Sequence, residues 1–333
     1  MTMKVLRKGA HSTVFIDENE PGIVIKKANN PENSSYLSKQ QYGYDVINSI
    51  KAQGNDIGVI LPELVAIDNE EKTVKEKIIS GETFDSGQAI NEKYSRLSAK
   101  QKDSIAQQMA RFLNAMHSSS ECKPAQEPII NMQKSGPANA DEIIAKFGGY
   151  LPKNITNRLK QAEAYLHASD KSDEFIVMTH KDLRTSNVMY DANMNKLAVI
   201  DFELAGLDNV YNDFIASAPG SSMPWDFTKR VIDFYNQIPD KKYPITINPE
   251  KVQNMLLYGV MHEYARNIRP DDNTQEYLIP LVTRLTNKLM DITGIDIDKK
   301  ASYRQAIRTT QDKQRPKKLE NTKNYPITRD ESR

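Results

Sequence analysis

Two β-rich runs, His11 to Asp17 and Ile23 to Lys26, flank the turn cluster Asp17-Glu-Asn-Glu-Pro-Gly22 and predict a hairpin. From Ser34 to about Gln53 turn residues give way to a helical pattern, which Gly54 to Gly58 breaks. Two further short runs, Glu63 to Ile67 and Thr73 to Ile79, lie around Asp-Asn-Glu-Glu. The order hairpin, helix, hairpin favours an antiparallel sheet with one helix against it. The pattern then changes character. Between Ser98 and His117, Ile105, Met109, Phe112, Leu113 and Met116 recur at helical spacing and form one apolar stripe, so this helix faces a core. A looser stretch with Pro124, Pro128, Gly136 and Pro137 follows, then helical patterns at Asp141 to Phe147 and Asn154 to Ala168. The β-runs Phe175 to Thr179 and Lys196 to Asp201 bracket a polar loop and Val188-Met189-Tyr190. Helical periodicity returns at Phe227 to Gln237, Pro249 to Asn267 and Gln275 to Ile292. Beyond about Asp296 the chain is polar and charged, and it has too little apolar surface to offset its ordering entropy. The expected class is α+β in two lobes: residues 1–79 with a small antiparallel sheet and one main helix, residues 80–295 mostly helical, and a charged flexible tail over 296–333.

Charge and cysteine content narrow the function classes. With 45 basic and 44 acidic residues the formal charge is +1, so no whole-molecule field exists to hold nucleic acid or an anionic membrane, and neither is an expected partner. Cys122 is the only cysteine, which excludes an internal disulfide and thiolate metal clusters; no nucleophile signature surrounds it. No run approaches the roughly 18 apolar residues of a membrane span, and the first residues carry no signal-peptide pattern. A soluble protein of the reducing cytoplasm is expected.

The chemistry is concentrated in Thr179-His-Lys-Asp-Leu-Arg-Thr-Ser-Asn187 and, after a short turn, Leu197-Ala-Val-Ile-Asp-Phe-Glu203. Order and spacing resemble the catalytic loop and metal-binding element of kinases, H-x-D-L-x-x-x-N followed by D-F-G, with Glu203 in place of the glycine. Phosphoryl transfer needs an anion beside the attacking hydroxyl, oxygen ligands for Mg²⁺ and a scaffold that aligns them. The resemblance makes Asp182 the base, and Asn187 and Asp201 the metal ligands, since hard cations take carboxylate and amide oxygens. His180 is expected to shape the loop. Arg184 is either a solvated charge or a substrate contact. Upstream, Ile23-Val-Ile-Lys-Lys resembles the strand whose lysine pairs with the α- and β-phosphates; Lys26 is the candidate, sharing a strand face with Val24, which would lie over the adenine. Lys8-Gly-Ala-His-Ser-Thr-Val-Phe stands where the phosphate-covering loop belongs, with Gly9 its single glycine and Ser12 and Thr13 as substitute donors.

These motifs, together with Asn212-Asp213-Phe214, Ile78-Ile-Ser-Gly-Glu-Thr-Phe84 and Phe112-Leu-Asn-Ala-Met-His117, are similar to those of the aminoglycoside phosphotransferase and choline kinase family over roughly residues 5 to 215. The resemblance implies a bilobed protein-kinase-like fold, ATP or GTP with Mg²⁺, a small-molecule acceptor, an Asp213 that braces the catalytic loop, and a nucleotide-side contact at Ile78. It also implies an acceptor cleft in the helical lobe, for which Glu203, Trp225, Asp226, Tyr258, His262, Glu263 and Tyr264 are candidates. Two features depart from it: the phosphate loop is poor in glycine, and the first helix offers Gln40 or Gln41 where the family has a glutamate to pair with the strand lysine. The sequence leaves two rivals open: a protein kinase that engages a partner through its tail, and a nucleotide-binding module without catalysis. The short interval between Asp201 and Asp213 favours a small-molecule acceptor over a protein.

Overall fold

The computed structural model describes residues 3–9, 11–30, 35–54, 56–84, 89–125, 139–147, 152–169, 171–216, 219–267 and 275–298. Of the expected flexible tail over 296–333, the part from residue 299 lies outside them, as do Pro128, Gly136, Pro137 and the side chain of Tyr264; at its start Ile297 is 2% exposed and belongs to the core. Strands β1 (Met3–Lys8), β2 (Ser12–Asp17), β3 (Ile23–Ala28), β4 (Leu64–Asp68) and β5 (Thr73–Lys77) form one antiparallel sheet in the order β1-β2-β3-β5-β4. Helix α1 (Ser35–Lys51) lies between β3 and β4 in sequence and buries Tyr36, Leu37, Gln40, Gly43, Tyr44, Val46, Ile47 and Ile50. Strand β1 was not expected from the sequence. All six of its residues are exposed, so its apolar positions carry no burial pattern, and its ladder with β2 holds it in the sheet.

The rest of the chain is mostly helical. Helix α2 (Ala89–Arg96) precedes α3 (Ala99–Ser118), which begins at a reciprocal cap: Gln101 donates its backbone N–H to the Ser98 hydroxyl, and its side chain accepts from the Ser98 N–H. The α3 stripe is the predicted one, and Ile105, Met109, Phe112, Leu113 and Met116 are each no more than 1% exposed. Burial of each such side chain contributes roughly 1.5–3 kcal/mol relative to exposure. Helices α4 (Ala140–Phe147), α5 (Lys153–Ala168), α6 (Asn212–Ile215), α7 (Trp225–Gln237), α8 (Pro249–Asn267) and α9 (Gln275–Thr293) follow. Two small antiparallel sheets are set among them. In one, β6 (Glu82–Thr83) and β10 (Lys196–Val199) flank β9 (Val188–Asp191); in the other, β7 (Lys123–Pro124) and β11 (Gly206–Asn209) flank β8 (Phe175–Thr179). Among the described residues no helix is long and apolar enough to cross a membrane.

Helix α1 meets the chain that leaves β10 at unusually short range. A Cβ on Gly43 would lie 2.8 Å from the Phe202 carbonyl oxygen and 3.0 Å from its carbonyl carbon, both backbone atoms that cannot rotate away. Glycine in a helix interior ordinarily costs about 1 kcal/mol against alanine. Here the cost is outweighed by close approach. Gly43→Ala is therefore expected to destabilise the protein by roughly 1–3 kcal/mol, the usual penalty of overpacking. Denaturant unfolding checks this; a variant as stable as the parent or more so would refute the contact.

Candidate active site

The two motifs are joined by backbone. Strands β9 and β10 pair Val188 with Val199, which carries Asn187 and Ile200 into register just beyond the ladder. Ile200 then donates its N–H to the Asn187 carbonyl at 3.0 Å, and its own carbonyl lies 3.0 Å from His180 Nε2. A carbonyl can only accept, so Nε2 carries the proton. The Asp182 N–H, 3.3 Å from Nδ1, can only donate, so Nδ1 accepts. His180 is thus the neutral Nε2–H tautomer, fully buried, with Nε2 tying the loop to the segment that bears Asp201 and Nδ1 bracing the loop internally at Asp182. Its ring also packs on Phe202 at 4.7 Å between centroids.

A second brace comes from below. Asp213, on α6, accepts the His180 N–H at 2.9 Å and the Lys181 N–H at 3.4 Å through Oδ1, while Oδ2 lies 3.1 Å from His117 Nε2. His117 Nδ1 is in turn 3.0 Å from the Tyr235 hydroxyl on α7. Two non-glycine residues of the site adopt left-handed backbone, Lys181 at φ 61° and Asp201 at φ 70°. Such residues cost of order 1 kcal/mol or more and persist where surrounding bonds over-determine them. The turn at Asp201 also explains why β10 stops at Val199 and not at Asp201 as the apolar run suggested.

Within this frame Asn187 donates its amide to Asp182 Oδ2 at 2.8 Å and to the Asp182 carbonyl at 2.9 Å. Its amide oxygen is thereby turned to the other side, where Ser186 Oγ lies 3.3 Å away. Arg184 NH2 lies 2.9 Å from the same Oδ2 of Asp182.

On the sheet side a small cavity is lined by Lys26, Gln40, Gly43, Tyr44, Ile47, Pro62, Glu76, Asp201, Phe202 and Glu203. Lys26 Nζ is 2.8 Å from Glu76 Oε1, with side chains 13% and 7% exposed. Burial alone would lower the Lys26 pKa, yet Glu76 and Asp201 outweigh it and hold the ammonium above its ordinary value. This corrects the expectation that Gln40 or Gln41 serves Lys26. Gln40 donates to Glu203 Oε2 at 2.7 Å, and Gln41 donates to Asp45 at 3.0 Å on the exposed side of α1. Glu76 was not singled out in the sequence, although a carboxylate at an inward position of a strand, in step with buried Val74, is a signal of a charge partner.

Other candidates fall in separate places. Val24 and Lys26 share a face of β3, with Val14 opposite Lys26 and Val24 opposite Glu76. Ser12 is two residues from Val14 and so on that same face of β2. Thr13 pairs with Lys27 on the reverse face and gives its hydroxyl to Asn29 at 2.7 Å, which separates it from Ser12. Asn29 also donates to the Gly9 carbonyl at 2.8 Å, so the turn without further glycines is closed by an asparagine. Ile78 follows β5 and is 46% exposed. Glu203 turns toward α1 and not into the helical lobe. The Trp225 N–H is bound by Asp291, Asp226 accepts from the Tyr94 hydroxyl at 2.8 Å and from Arg230 at 3.1 Å, and Glu263 accepts from the Gly220 N–H at 2.7 Å and from Arg284 at 2.9 Å. Each of these holds part of the helical lobe together, and the turn at Pro219–Ser221, held by Glu263, reaches the candidate loop, where Thr185 donates to the Ser221 carbonyl at 3.2 Å. Tyr258 and His262 are buried along α8. Burial pushes the Cys122 thiol up, away from reactivity.

Burial first, then the neighbouring Asp201, push the Glu203 carboxyl above its ordinary 4.5. A raised carboxyl holds its proton more tightly folded than unfolded, so its ionisation erodes stability as pH rises through the unfolded value and costs nothing well below it. Glu203→Gln, measured by calorimetric melting in chelator, should therefore melt higher than the parent at neutral pH, with the gap closing below about pH 4.5. A gap independent of pH would contradict this environment for Glu203.

The sequence profile described as "Phosphotransferase enzyme family" matches residues 3–237. No curated protein matches the sequence. Among solved structures, the ADP-bound aminoglycoside phosphotransferase APH(2'')-Ib is 17% identical with a TM-score of 0.51, covering 88% of this chain and 94% of its own. An aminoglycoside phosphotransferase from Alicyclobacillus acidocaldarius is 11% identical with a TM-score of 0.50, covering 94% and 93%. The choline kinase LicA from Streptococcus pneumoniae is 14% identical with a TM-score of 0.45, covering 94% of both chains. At such identities the likeness is one of fold, the bilobed protein-kinase-like fold that the motifs implied. The family profile, spanning the sheet, both motifs and helix α7, makes the chain a member of the phosphotransferase enzyme family.

Proposed function

We propose that the protein transfers the γ-phosphoryl group of ATP to a hydroxyl of a small molecule in the cytoplasm, with Asp182 as base, Asn187 and Asp201 as magnesium ligands, and Lys26 on the nucleotide phosphates. The observation that carries this reading is the orientation of Asn187. Its amide nitrogen is fixed on the Asp182 carboxylate at 2.8 Å, which leaves its oxygen, a hard donor of the kind Mg²⁺ takes, on the other side of the amide, 3.3 Å from the Ser186 hydroxyl. The donor set is of the kind that suits Mg²⁺, an amide oxygen and a carboxylate, though among the described residues no cluster of three histidine, cysteine or acidic side chains is poised as a metal cage. Bound there with the nucleotide, the ion would neutralise charge on the phosphates.

The chain's own residues supply the rest. Asp182, its carboxylate oriented by Asn187 and Arg184, accepts the proton of the acceptor hydroxyl as the new P–O bond forms and the bond to the departing ADP breaks. Lys26, kept cationic by Glu76, is matched to the phosphates. The case for a module without catalysis leaned on the absent helix carboxylate and the glycine-poor loop; the Glu76 pairing with Lys26 answers the first of these.

Isothermal titration should detect nucleotide uptake that depends on Mg²⁺. Asp201→Asn, which keeps a side chain tolerant of left-handed backbone, should abolish that dependence. Asp182→Asn should keep the uptake and lower turnover of ATP by roughly 10²–10⁴-fold, the usual contribution of a positioned base. Uptake indifferent to Mg²⁺ in the parent, or full turnover in Asp182→Asn, would defeat the assignment.

A further inference from the structure

We propose that Glu76, on strand β5, is the residue that positions Lys26 for phosphoryl transfer, supported by Tyr44, and that helix α1 has exchanged this task for a grip on the metal segment through Gln40 and Glu203. The inference rests on the phosphotransferase reading above and concerns which element supplies the counter-ion.

Three observations converge. Lys26 and Glu76 stand on adjacent strands of one ladder: Lys26 faces Val74 and Val24 faces Glu76, so the ion pair runs along the diagonal between neighbouring cross-strand pairs. Its 2.8 Å separation is therefore set by the sheet and not by the position of α1. Glu76, 5% exposed, also accepts the Tyr44 hydroxyl from α1 at the same Oε1. Finally, Gln40, one turn before Tyr44 on the same face of α1, is committed to Glu203 at 2.7 Å. A helix that carries the lysine's carboxylate can break the pair by swinging outward. Here such a movement would withdraw only the Tyr44 hydroxyl and leave the Lys26–Glu76 contact to the sheet, while α1 links the sheet to the segment of Asp201 and Phe202, against whose backbone Gly43 is pressed. Lys26 is thus poised without an activating displacement of the helix.

Position 40 shows the exchange most sharply. A glutamate there would restore the layout the first helix lacks if α1 were the lysine's partner. In the observed arrangement it would instead face Glu203, with Asp201 close by, as a like charge in a buried space.

The test uses the full chain, Mg–ATP and water as acceptor, reading ADP release, together with calorimetric binding of a non-hydrolysable ATP analogue with Mg²⁺ and thermal melting. Glu76→Gln should lower kcat for ADP release by about 100-fold, the scale of a misplacement near 1 Å, while it still binds the analogue. The double variant Lys26→Met with Glu76→Gln should be no slower than Lys26→Met alone, because Glu76 acts through Lys26. Gln40→Glu should reduce turnover and fail to rescue Glu76→Gln. Parental kcat in Glu76→Gln, a double variant slower by the product of the single losses, or recovery of Glu76→Gln by Gln40→Glu would each overturn the proposal. Should Glu76→Gln not melt cooperatively, Glu76→Asp and Tyr44→Phe decide: both are expected to lose turnover, Tyr44→Phe by roughly tenfold, and parental rates in both sink it. A parent chain that takes up no Mg–nucleotide brings down the phosphotransferase reading and this inference together; a parent active alongside an equally active Glu76→Gln brings down the inference alone.

Discussion

The site depends on the two backbone groups of Ile200. Its N–H is given to the Asn187 carbonyl and its carbonyl takes the His180 ring, so the residue before Asp201 is fastened to both ends of the loop that holds Asp182. Strand ladders alone align backbones only as far as they run, and β9 and β10 end at Val188 and Val199. The Ile200 bonds extend that alignment across the point where the chain turns left-handed at Asp201. His180 can serve there because Asp213 fixes its N–H from beneath, and His117 and Tyr235 fix Asp213. A buried chain of this kind is stable only when every member finds a partner, which ties α3, α6 and α7 to the geometry of a loop none of them contains.

Much of this was legible beforehand. Helices such as α3 and α7 declare themselves because each buries one stripe, and periodicity reports burial. The loop at Thr179–Asn187 and the segment at Leu197–Glu203 declare themselves because the residue types are chemically constrained and close in sequence. What stayed hidden is long-range or surface-borne. β1 buries nothing and so leaves no pattern; Thr13 and Ser12 are adjacent in sequence, and only the register of β2 against β3 separates them. Glu76 lies fifty residues from Lys26, and their contact exists only once β3 and β5 are paired across the insertion of α1 and β4. Glu203, a candidate for the acceptor cleft because it follows Asp201, points toward α1 because Asp201 adopts the left-handed turn between them and the strand. The carboxylates of Asp226 and Glu263 looked available for a polar ligand; Arg230, four residues after Asp226 on α7, is a partner that helical spacing could have shown, but sequence gives no view of Tyr94, Gly220 or Arg284 arriving from elsewhere.

The position of Glu76 also makes sense of Gln40. The cavity between sheet, α1 and the metal segment already holds three carboxylates, Glu76, Asp201 and Glu203, against one ammonium, Lys26. In a space poorly served by water, each further negative charge is strongly resisted, and the protein already registers the resistance by raising the Glu203 carboxyl. Were α1 to contribute a fourth carboxylate, the excess would fall first on Glu203, the group Gln40 faces, and on its neighbour Asp201. A neutral amide avoids this. It gives Glu203 a hydrogen-bond donor without adding charge. Once a strand supplies the partner of Lys26, a glutamine on α1 is therefore the residue that electrostatics calls for, so the apparent defect in the helix and the unremarked glutamate on the sheet are two sides of one charge balance.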